Sequence, residues 1–335
     1  MFGRVRLLPA GVFSYLGLVI FTTASVAQTS INDIHIASRE KSITEAPFGA
    51  PQLPRELGLI RSNVELVTVP VTITDAMNRP VIGLDRDNFQ LFENKQPQEI
   101  KNFSSEDTPV SIGIIMDVSG SMQDKRDRAR EAVRQFCEAS NPEDEFFMIT
   151  FSDTPRLATD FTNRPEEIEG ALLTVQSRGR TSLLDAIYMG IRKMKDARYP
   201  RRALLIMSDG GDNHSRYTDH DVKNAVREAD VLIYAVGTYD RYVNTQEELL
   251  GPELLQDVAG VTGGQAYTLT NLAEWPHVTR AIGSRLRHQY MLTYRPQTRS
   301  RDGKWHKINV KLLLPKRLSS FLHVDARTGY YASTQ

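Results

Sequence analysis

Three oxygen-bearing side chains follow one strongly apolar stretch of the chain. Val110–Met116 is mostly apolar and rich in β-branched residues, and Asp117, Ser119 and Ser121 follow it at alternate positions. A run of this kind is typical of a strand buried on both faces of a parallel sheet. The carboxylate and the two hydroxyls at its end are hard oxygen donors. Mg²⁺ prefers such donors, in an octahedral shell at about 2.0–2.1 Å. The spacing therefore indicates a divalent-cation site at this strand end.

A second carboxylate occupies the same kind of position further along the chain. The apolar stretch 202–208 ends at Asp209, which Gly210 and Gly211 follow. Each signal also has a simpler interpretation. A strand followed by Asp and Ser is often a helix N-cap, and Asp-Gly-Gly is often only a turn. The two carboxylates together indicate one cation site only if the fold brings the two strand ends close to each other.

The elements around these residues alternate between strands and helices. Strands are predicted near 110–116, 145–152, 156–162, 202–208, 231–236 and 265–269, and helices near 124–139, 164–176, 182–195, 218–229, 249–259 and 271–287. Such alternation predicts an α/β fold with a doubly wound, mainly parallel, Rossmann-like sheet. Sheets of this class bind ligands at the carboxyl ends of their strands, beside a switch in strand order. Asp117 and Asp209 are both predicted to lie at that edge.

The flanking regions are β-rich on both sides of the alternating region. Strands are predicted at 64–74, 89–93 and 99–104 before it, and at 289–294, 305–314 and 330–331 after it. Neither flank has enough strands to bury a face alone, so both are expected to form one small β-sandwich, with the α/β domain of residues 108–287 inserted between halves 59–107 and 288–335. Pro70 within the first strand suggests an edge position or a bulge.

The site pattern resembles a known family. Asp-x-Ser-x-Ser at the end of the first α/β strand is similar to the metal-ion-dependent adhesion site of von Willebrand factor type A domains. The resemblance implies strand order 3-2-1-4-5-6, which makes the strands of Asp117 and Asp209 neighbours. It also implies that Ser119 and Ser121 bind Mg²⁺ or Mn²⁺ directly, that both aspartates act mostly through water, and that Thr181 is a further ligand. Asp185, one helical turn after Thr181, is expected to hydrogen-bond rather than to bind the cation.

The whole organisation resembles a narrower group. From Val64 to Tyr331, including the Arg327–Tyr330 segment, the chain is similar to exported von Willebrand factor A-related proteins first grouped as an acidobacterial domain family. That resemblance implies a fold and a metal site and assigns no general catalytic activity.

The first residues have the pattern of a targeting signal. Arg4 and Arg6 precede an apolar stretch from residue 7 to about 26, which ends in Ser-Val-Ala before Gln28. Small residues at these positions predict a signal peptide over 1–27, cleaved after Ala27, and hence an exported, periplasmic or extracellular protein. The alternative is an uncleaved membrane anchor, because the stretch approaches the roughly 20 residues that span a bilayer. Residues 28–58, polar and proline-containing, are predicted to be a flexible linker.

Composition excludes several other classes. Acidic and basic residues balance at 41 each in 335 residues, so no global charge favours nucleic acid or an anionic membrane. The one cysteine, Cys137, excludes an internal disulfide framework and a cysteine-rich zinc site, and its helical spacing predicts a buried core thiol.

Three functions fit these features. The first is a metal-dependent protein-binding module, in which a Glu or Asp carboxylate from a protein partner completes the coordination shell of the cation. Arg178 and Arg180 would attract this acidic partner by charge. The second is a structural subunit of a cell-envelope assembly with a purely structural metal. The third, a metal-assisted hydrolase, is disfavoured because no motif places a His, Glu or Lys beside the site as general base. The chain is therefore not expected to be an enzyme or to have a small-molecule substrate.

Overall fold

The computed structural model describes residues 66–208, 211–238, 246–297 and 302–332. The predicted signal peptide and linker lie outside these residues. No helix of the described part is both long enough and apolar enough to span a bilayer.

The strands of the described residues follow one another along the whole of this part of the chain. In chain order they are β1 (Val67–Thr74), β2 (Phe89–Glu93), β3 (Gln96–Gln98), β4 (Ile100–Ser104), β5 (Ser111–Asp117), β6 (Glu145–Phe151), β7 (Pro155–Thr162), β8 (Arg202–Ser208), β9 (Leu232–Thr238), β10 (Ala266–Leu269), β11 (Tyr290–Tyr294), β12 (Trp305–Leu312), β13 (His323–Ala326) and β14 (Gly329–Tyr331).

The α-helices lie mainly between β5 and β11. They are α1 (Arg126–Ala139), α2 (Pro165–Thr174), α3 (Leu183–Lys193), α4 (Asp219–Glu228), α5 (Gln246–Thr262), α6 (Trp275–Arg287) and α7 (Lys316–Ser319). Short 3₁₀ turns at 86–88, 120–125, 194–196 and 272–274 complete the regular structure.

The central sheet has the predicted doubly wound topology. Its strand order is β10-β9-β8-β5-β6-β7, with β7 antiparallel at one edge and the other strands parallel. Counted from β5 as the first strand, this is the order 3-2-1-4-5-6 implied by the resemblance. The chain leaves β5 toward β6 and later returns to β8 on its other side, so the switch in strand order lies between β5 and β8. The predicted α/β fold class is confirmed.

Helices cover both faces of this sheet, which explains why its central strands are mostly apolar. All seven residues of β5 are buried. Helices α1, α2 and α6 pack on one face and α3, α4 and α5 on the other, each set with its own apolar core. Cys137 on α1 is buried, as predicted, and burial raises the pKa of its thiol to about 12. This thiol is therefore a core group and not a nucleophile.

The two flanks pair with each other, as predicted. One antiparallel sheet has the order β13-β1-β11-β4 and the second has the order β14-β12-β2-β3. Val67 pairs with Tyr294 and Glu93 pairs with Ile308, so each sheet contains strands from before and from after the α/β domain, hydrogen-bonded to each other. Their inward side chains share one apolar core. The predicted sandwich built from both flanks is confirmed.

Pro70 is a partial exception to its sequence interpretation. The expectation that β1 is an edge strand is wrong, because β1 pairs with β11 on one side and with β13 on the other. The pairing with β13 begins only at Val71, however, so one side of Pro70 has no neighbouring strand. Proline has no N–H to donate. At this position of an interior strand no N–H is required, because no strand lies on that side to accept a hydrogen bond.

The α/β domain packs directly on the sandwich. Arg327 forms an ion pair with Asp230 after α4, and the backbone N–H of Thr328 donates to the carbonyl of Val261 in α5. On the other side of the junction, the Arg201 guanidinium of the α/β domain donates to Gln289 Oε1, and the Gln289 side-chain amide donates to Thr72 Oγ1 of β1. The Arg327–Tyr330 segment noted in the sequence therefore lies at this junction.

A glycine after α5 tests how tightly this region is packed. A Cβ on Gly264 would lie 1.9 Å from the carbonyl oxygen of Ile233 in β9, and a backbone atom of a central strand has little freedom to move. Gly264→Ala is therefore expected to lower the free energy of unfolding by about 3 kcal/mol, the upper range for overpacking. Guanidinium denaturation measures the change.

Gly260→Ala is the matched control. Gly260 lies within α5, and the nearest atom to its added Cβ would be Gln256 Nε2 at 3.8 Å. Removing a glycine from a helix should raise the free energy of unfolding by up to about 1 kcal/mol. Equal stabilities for the two variants would contradict the close contact at Gly264.

Candidate metal centre

The site begins where β5 and β8 run side by side. Met116 pairs with Met207, so Asp117 and Ser208 come at equivalent ends of neighbouring parallel strands. Asp117 is fully buried. Its Oδ1 accepts a hydrogen bond from the Ser119 N–H at 2.8 Å, and its Oδ2 accepts one from the Ser208 hydroxyl at 2.6 Å. These bonds hold the carboxylate in one orientation at the carboxyl edge of the sheet.

The two serine hydroxyls lie next to each other. Ser119 Oγ and Ser121 Oγ are 3.0 Å apart. In an octahedral shell with metal–oxygen distances of about 2.0–2.1 Å, adjacent ligand oxygens are about 2.9 Å apart. The spacing of the two hydroxyls therefore fits two adjacent positions around one Mg²⁺ or Mn²⁺ ion.

The helix-capping interpretation is not supported for Ser119. This residue occupies the N-cap position of the 3₁₀ turn Gly120–Lys125, yet its side chain makes no capping hydrogen bond to that turn. The N-cap of α1 is Lys125. Ser119 directs its hydroxyl toward Ser121 instead, and its N–H toward Asp117.

The loop that contains Thr181 is tied to the Asp117–Ser121 loop through the backbone. The N–H of Gly120 donates to the carbonyl of Gly179 at 3.2 Å, and the N–H of Arg178 donates to that of Val118 at 3.0 Å. Thr181 is 7% exposed. The fold therefore brings the loop of Thr181 alongside the loop of Ser119 and Ser121.

Gly179 is required at its position in this loop. Its φ is +88°, and a Cβ there would lie 2.7 Å from a carboxylate oxygen of Asp153. The other oxygen of Asp153 accepts a hydrogen bond from the Arg180 N–H at 2.8 Å. Asp153, after β6, therefore positions the loop that carries Thr181.

The segment after β8 fixes the other side of Thr181. Asn213 Oδ1 accepts from the Thr181 N–H at 3.0 Å, and the Thr181 carbonyl accepts from the N–H groups of Asn213 and His214. Asp185, buried on α3, accepts from the N–H groups of Arg216 and Tyr217. Asp185 therefore binds the segment beside the site, as expected of a residue that positions the ligands.

Asp209, the fifth predicted ligand, lies outside the described residues, and its role stays a prediction. Within the described ranges no group of three or more His, Cys, Asp or Glu residues could hold a metal ion. Most of the predicted donors are hydroxyls, which do not belong to these residue types. The donor set of Asp117, Ser119, Ser121 and Thr181 fits a hard divalent cation.

Two contributors to this geometry were not recognised from the sequence. Ser208 was assigned only as the last residue of a strand, and Asp153 was not singled out. Ser208 is separated from Asp117 by 91 positions, and Asp153 from Arg180 by 27. The one available signal was the position of Ser208 directly before Asp209 at the end of a buried strand.

The structure is a doubly wound α/β domain with a cluster of hydroxyl-bearing residues and one buried carboxylate, the candidate cation site, at its carboxyl edge. The family model described as von Willebrand factor type A domain matches residues 112–211. The chain therefore contains a von Willebrand factor type A domain, a class that typically mediates protein–protein interactions.

A curated protein and two solved structures are similar to parts of this chain. Inter-alpha-trypsin inhibitor heavy chain H3 of Bos taurus is 28% identical over 135 residues, a match that covers 35% of this chain and 15% of the bovine protein. A von Willebrand factor type A structure from Catenulispora acidiphila is 12% identical with a TM-score of 0.46, and the match covers 82% of this chain and 77% of that one. The conserved hypothetical protein BatB from Bacteroides thetaiotaomicron is 16% identical with a TM-score of 0.42, covering 52% and 98%.

Proposed function

We propose that this chain is an exported, metal-ion-dependent protein-binding module. Its Mg²⁺ or Mn²⁺ would be held by Asp117, Ser119, Ser121, Thr181 and Asp209, and its partner would be a protein that offers a Glu or Asp carboxylate. The observation that carries the proposal is the 3.0 Å spacing of the Ser119 and Ser121 hydroxyls beside the buried, oriented Asp117.

The charge of the donor set supports an acidic partner. Ser119, Ser121 and Thr181 are neutral donors, and Asp117 uses one oxygen for the Ser119 N–H and the other for the Ser208 hydroxyl. When bound, a divalent cation in this set would supply an electrophilic position that favours an anionic oxygen over water. A carboxylate from another protein is the protein group that meets this requirement.

Two arginines on the Thr181 loop would attract such a partner. Arg178 and Arg180 are exposed, and Arg180 Nη1 lies 3.4 Å from His214 Nδ1. Exposed cations raise the encounter rate with an acidic surface, and this effect weakens as the ionic strength rises. The arginines would therefore contribute mainly to the association rate.

The proposal includes a non-catalytic site in an exported protein. Hydrolysis would require a general base beside the cation, and Asp117, the described carboxylate of the set, already accepts two hydrogen bonds. Export is supported by the charged and apolar pattern of residues 4–27. If residues 1–27 are retained, the same stretch would anchor the protein in the membrane.

Affinity capture in the presence and absence of metal tests this function. The immobilised chain, residues 28–335, should retain a protein from the native envelope in Mg²⁺ and release it with chelator. The retained protein should lose its affinity when its own acidic contact residue is replaced by its amide.

An Asp117→Asn column is the matched control and should retain much less of this protein at the same Mg²⁺ concentration. Capture that is equal in Mg²⁺ and in chelator would contradict the proposal and would favour a structural subunit with a purely structural metal.

A further inference from the structure

A cavity lies at the opposite end of the α/β domain from the candidate metal centre. This cavity, of about 240 Å³, separates the amino-terminal ends of β5, β8 and β9 from the β-sandwich. The candidate metal centre is at the carboxyl ends of the same strands, and seven strand residues span about 23 Å. The cavity is slightly smaller than the roughly 300–1,000 Å³ of typical small-molecule sites, which often form between domains.

The wall of this junction cavity carries an excess of positive charge. Four arginines line it, together with one carboxylate, that of Asp230. The arginines are Arg201, Arg202, Arg227 and Arg327. Asp230 pairs with Arg327 at 2.8 Å and so neutralises only one of the four.

Arg201 has a structural role in this wall. Its guanidinium donates to the backbone carbonyls of Thr108 and Leu286 and to the side-chain oxygen of Gln289. The side chain is buried without a carboxylate in ion-pair contact among the described residues, and burial lowers the pKa of its guanidinium. Arg201 therefore connects the domain and the sandwich, and Asp144 and Asp107 offset part of the positive charge that it adds to the cavity wall.

Arg202 and Arg227 make no comparable hydrogen bonds among the described residues. Within the described residues neither guanidinium makes a hydrogen bond or an ion pair, and Nε of Arg202 is buried without a partner. A buried donor without an acceptor is costly, and a guanidinium forms its strongest hydrogen bonds with carboxylate or phosphate oxygens. An anion between these two arginines would satisfy both.

The remaining wall is largely apolar. Trp305 and Met291 come from the sandwich, and Val110 and Leu286 come from the α/β domain. A bare inorganic ion would leave these surfaces without contact. A ligand with an apolar body and one anionic group would cover them and would place its charge on the arginines.

We propose that the junction cavity binds a small organic anion, an apolar or aromatic body with a carboxylate or phosphate, through Arg202 and Arg227. Because the cavity is built from both the α/β domain and the sandwich, such a ligand would hold the two together and raise the melting temperature. The proposal does not depend on a cation at the metal centre.

Calorimetry on residues 28–335 in chelator tests this proposal with three probes. Phenylacetate and phenyl phosphate have the required anion, and phenylacetamide is the neutral analogue of the first. At least one anion should bind saturably, and about tenfold more tightly than phenylacetamide. The anion that binds more tightly shows whether the cavity prefers a carboxylate or a phosphate. Saturable binding by neither anion, or equal binding of phenylacetamide, would overturn the proposal.

Variants locate the bound probe. Arg202→Met and Arg227→Met should each weaken anion binding about tenfold, whereas Arg128→Met, exposed on α1, should leave it unchanged. Arg227 lies on α4, outside the central sheet, so its variant remains informative if Arg202→Met does not fold. Trp305 and Trp275 are the two tryptophans of the chain, and the ligand-induced fluorescence change should vanish in Trp305→Phe. Unchanged affinity in both arginine variants would show that the probe binds elsewhere.

Discussion

Replacement of Asp117 by Asn is expected to weaken Mg²⁺ or Mn²⁺ binding by about 10–100-fold, the range for groups that orient metal ligands. The variant removes one negative charge and keeps the shape of the side chain. The amide oxygen still accepts from the Ser119 N–H, and the amide N–H donates to the Ser208 hydroxyl, which reverses its role. The free energy of unfolding in chelator should therefore change by less than about 1 kcal/mol.

Calorimetric titration with Mn²⁺ and denaturation in chelator measure the two effects separately. Asp127→Asn is the matched control, because Asp127 is a 98% exposed aspartate on α1. It should leave both the metal affinity and the stability unchanged. A purely structural role for Asp117 makes the opposite prediction for Asp117→Asn, with lost stability and unaltered metal affinity.

His306→Ala is expected to lower the free energy of unfolding by about 3–5 kcal/mol, the cost of removing one member of a buried charged pair. His306 Nδ1 lies 2.5 Å from Glu93 Oε1, and both side chains are almost fully buried between β12 and β2. The second oxygen of Glu93 has no partner in the described part of the chain. Without His306, the buried carboxylate would lose its positive neighbour.

The pH dependence of stability identifies this pair. Burial alone would lower the pKa of His306, but hydrogen bonds to Glu93 and Asp302 outweigh it and leave the pKa raised above 6.5. The contribution of the protonated histidine is therefore fully present below about pH 6.5 and is lost as the pH rises through the raised value. Denaturation at several pH values should show this decline in the wild type and not in His306→Ala.

His323→Ala is the control for this variant, because His323 is exposed on β13. It should retain both the stability and the pH profile of the wild type. A His306→Ala protein as stable as the wild type at pH 6 would show that Glu93 and His306 do not form a charged pair.

Most of the secondary structure, and the position of Asp117 at the carboxyl end of a buried strand, could be predicted from local sequence. The apolar run 110–116 reads as a buried strand in any context, because periodicity and β-branching act over a few residues. The pairing of the two β-rich flanks could also be predicted, although they are far apart in sequence, because each is too small to bury a face alone. The resemblance supplied the strand order, and with it the expectation that β5 and β8 are neighbours.

Contacts between distant residues were decided only by the tertiary structure. The bond from Ser208 to Asp117 and the ties of the Thr181 loop to Asp153 and Asn213 join parts of the chain with no shared local pattern. Pro70 in an interior strand is explained only by the position at which the pairing with β13 begins.

The junction cavity has the same origin. Its arginines lie at the start of β8, on α4 and before β14, where each resembles an ordinary surface cation in sequence. Local propensities depend on neighbouring residues and can therefore be predicted from the sequence. Orientation of a carboxylate, burial of a charge and the shape of a cavity depend on how whole elements pack, and so they are determined only when the chain has folded.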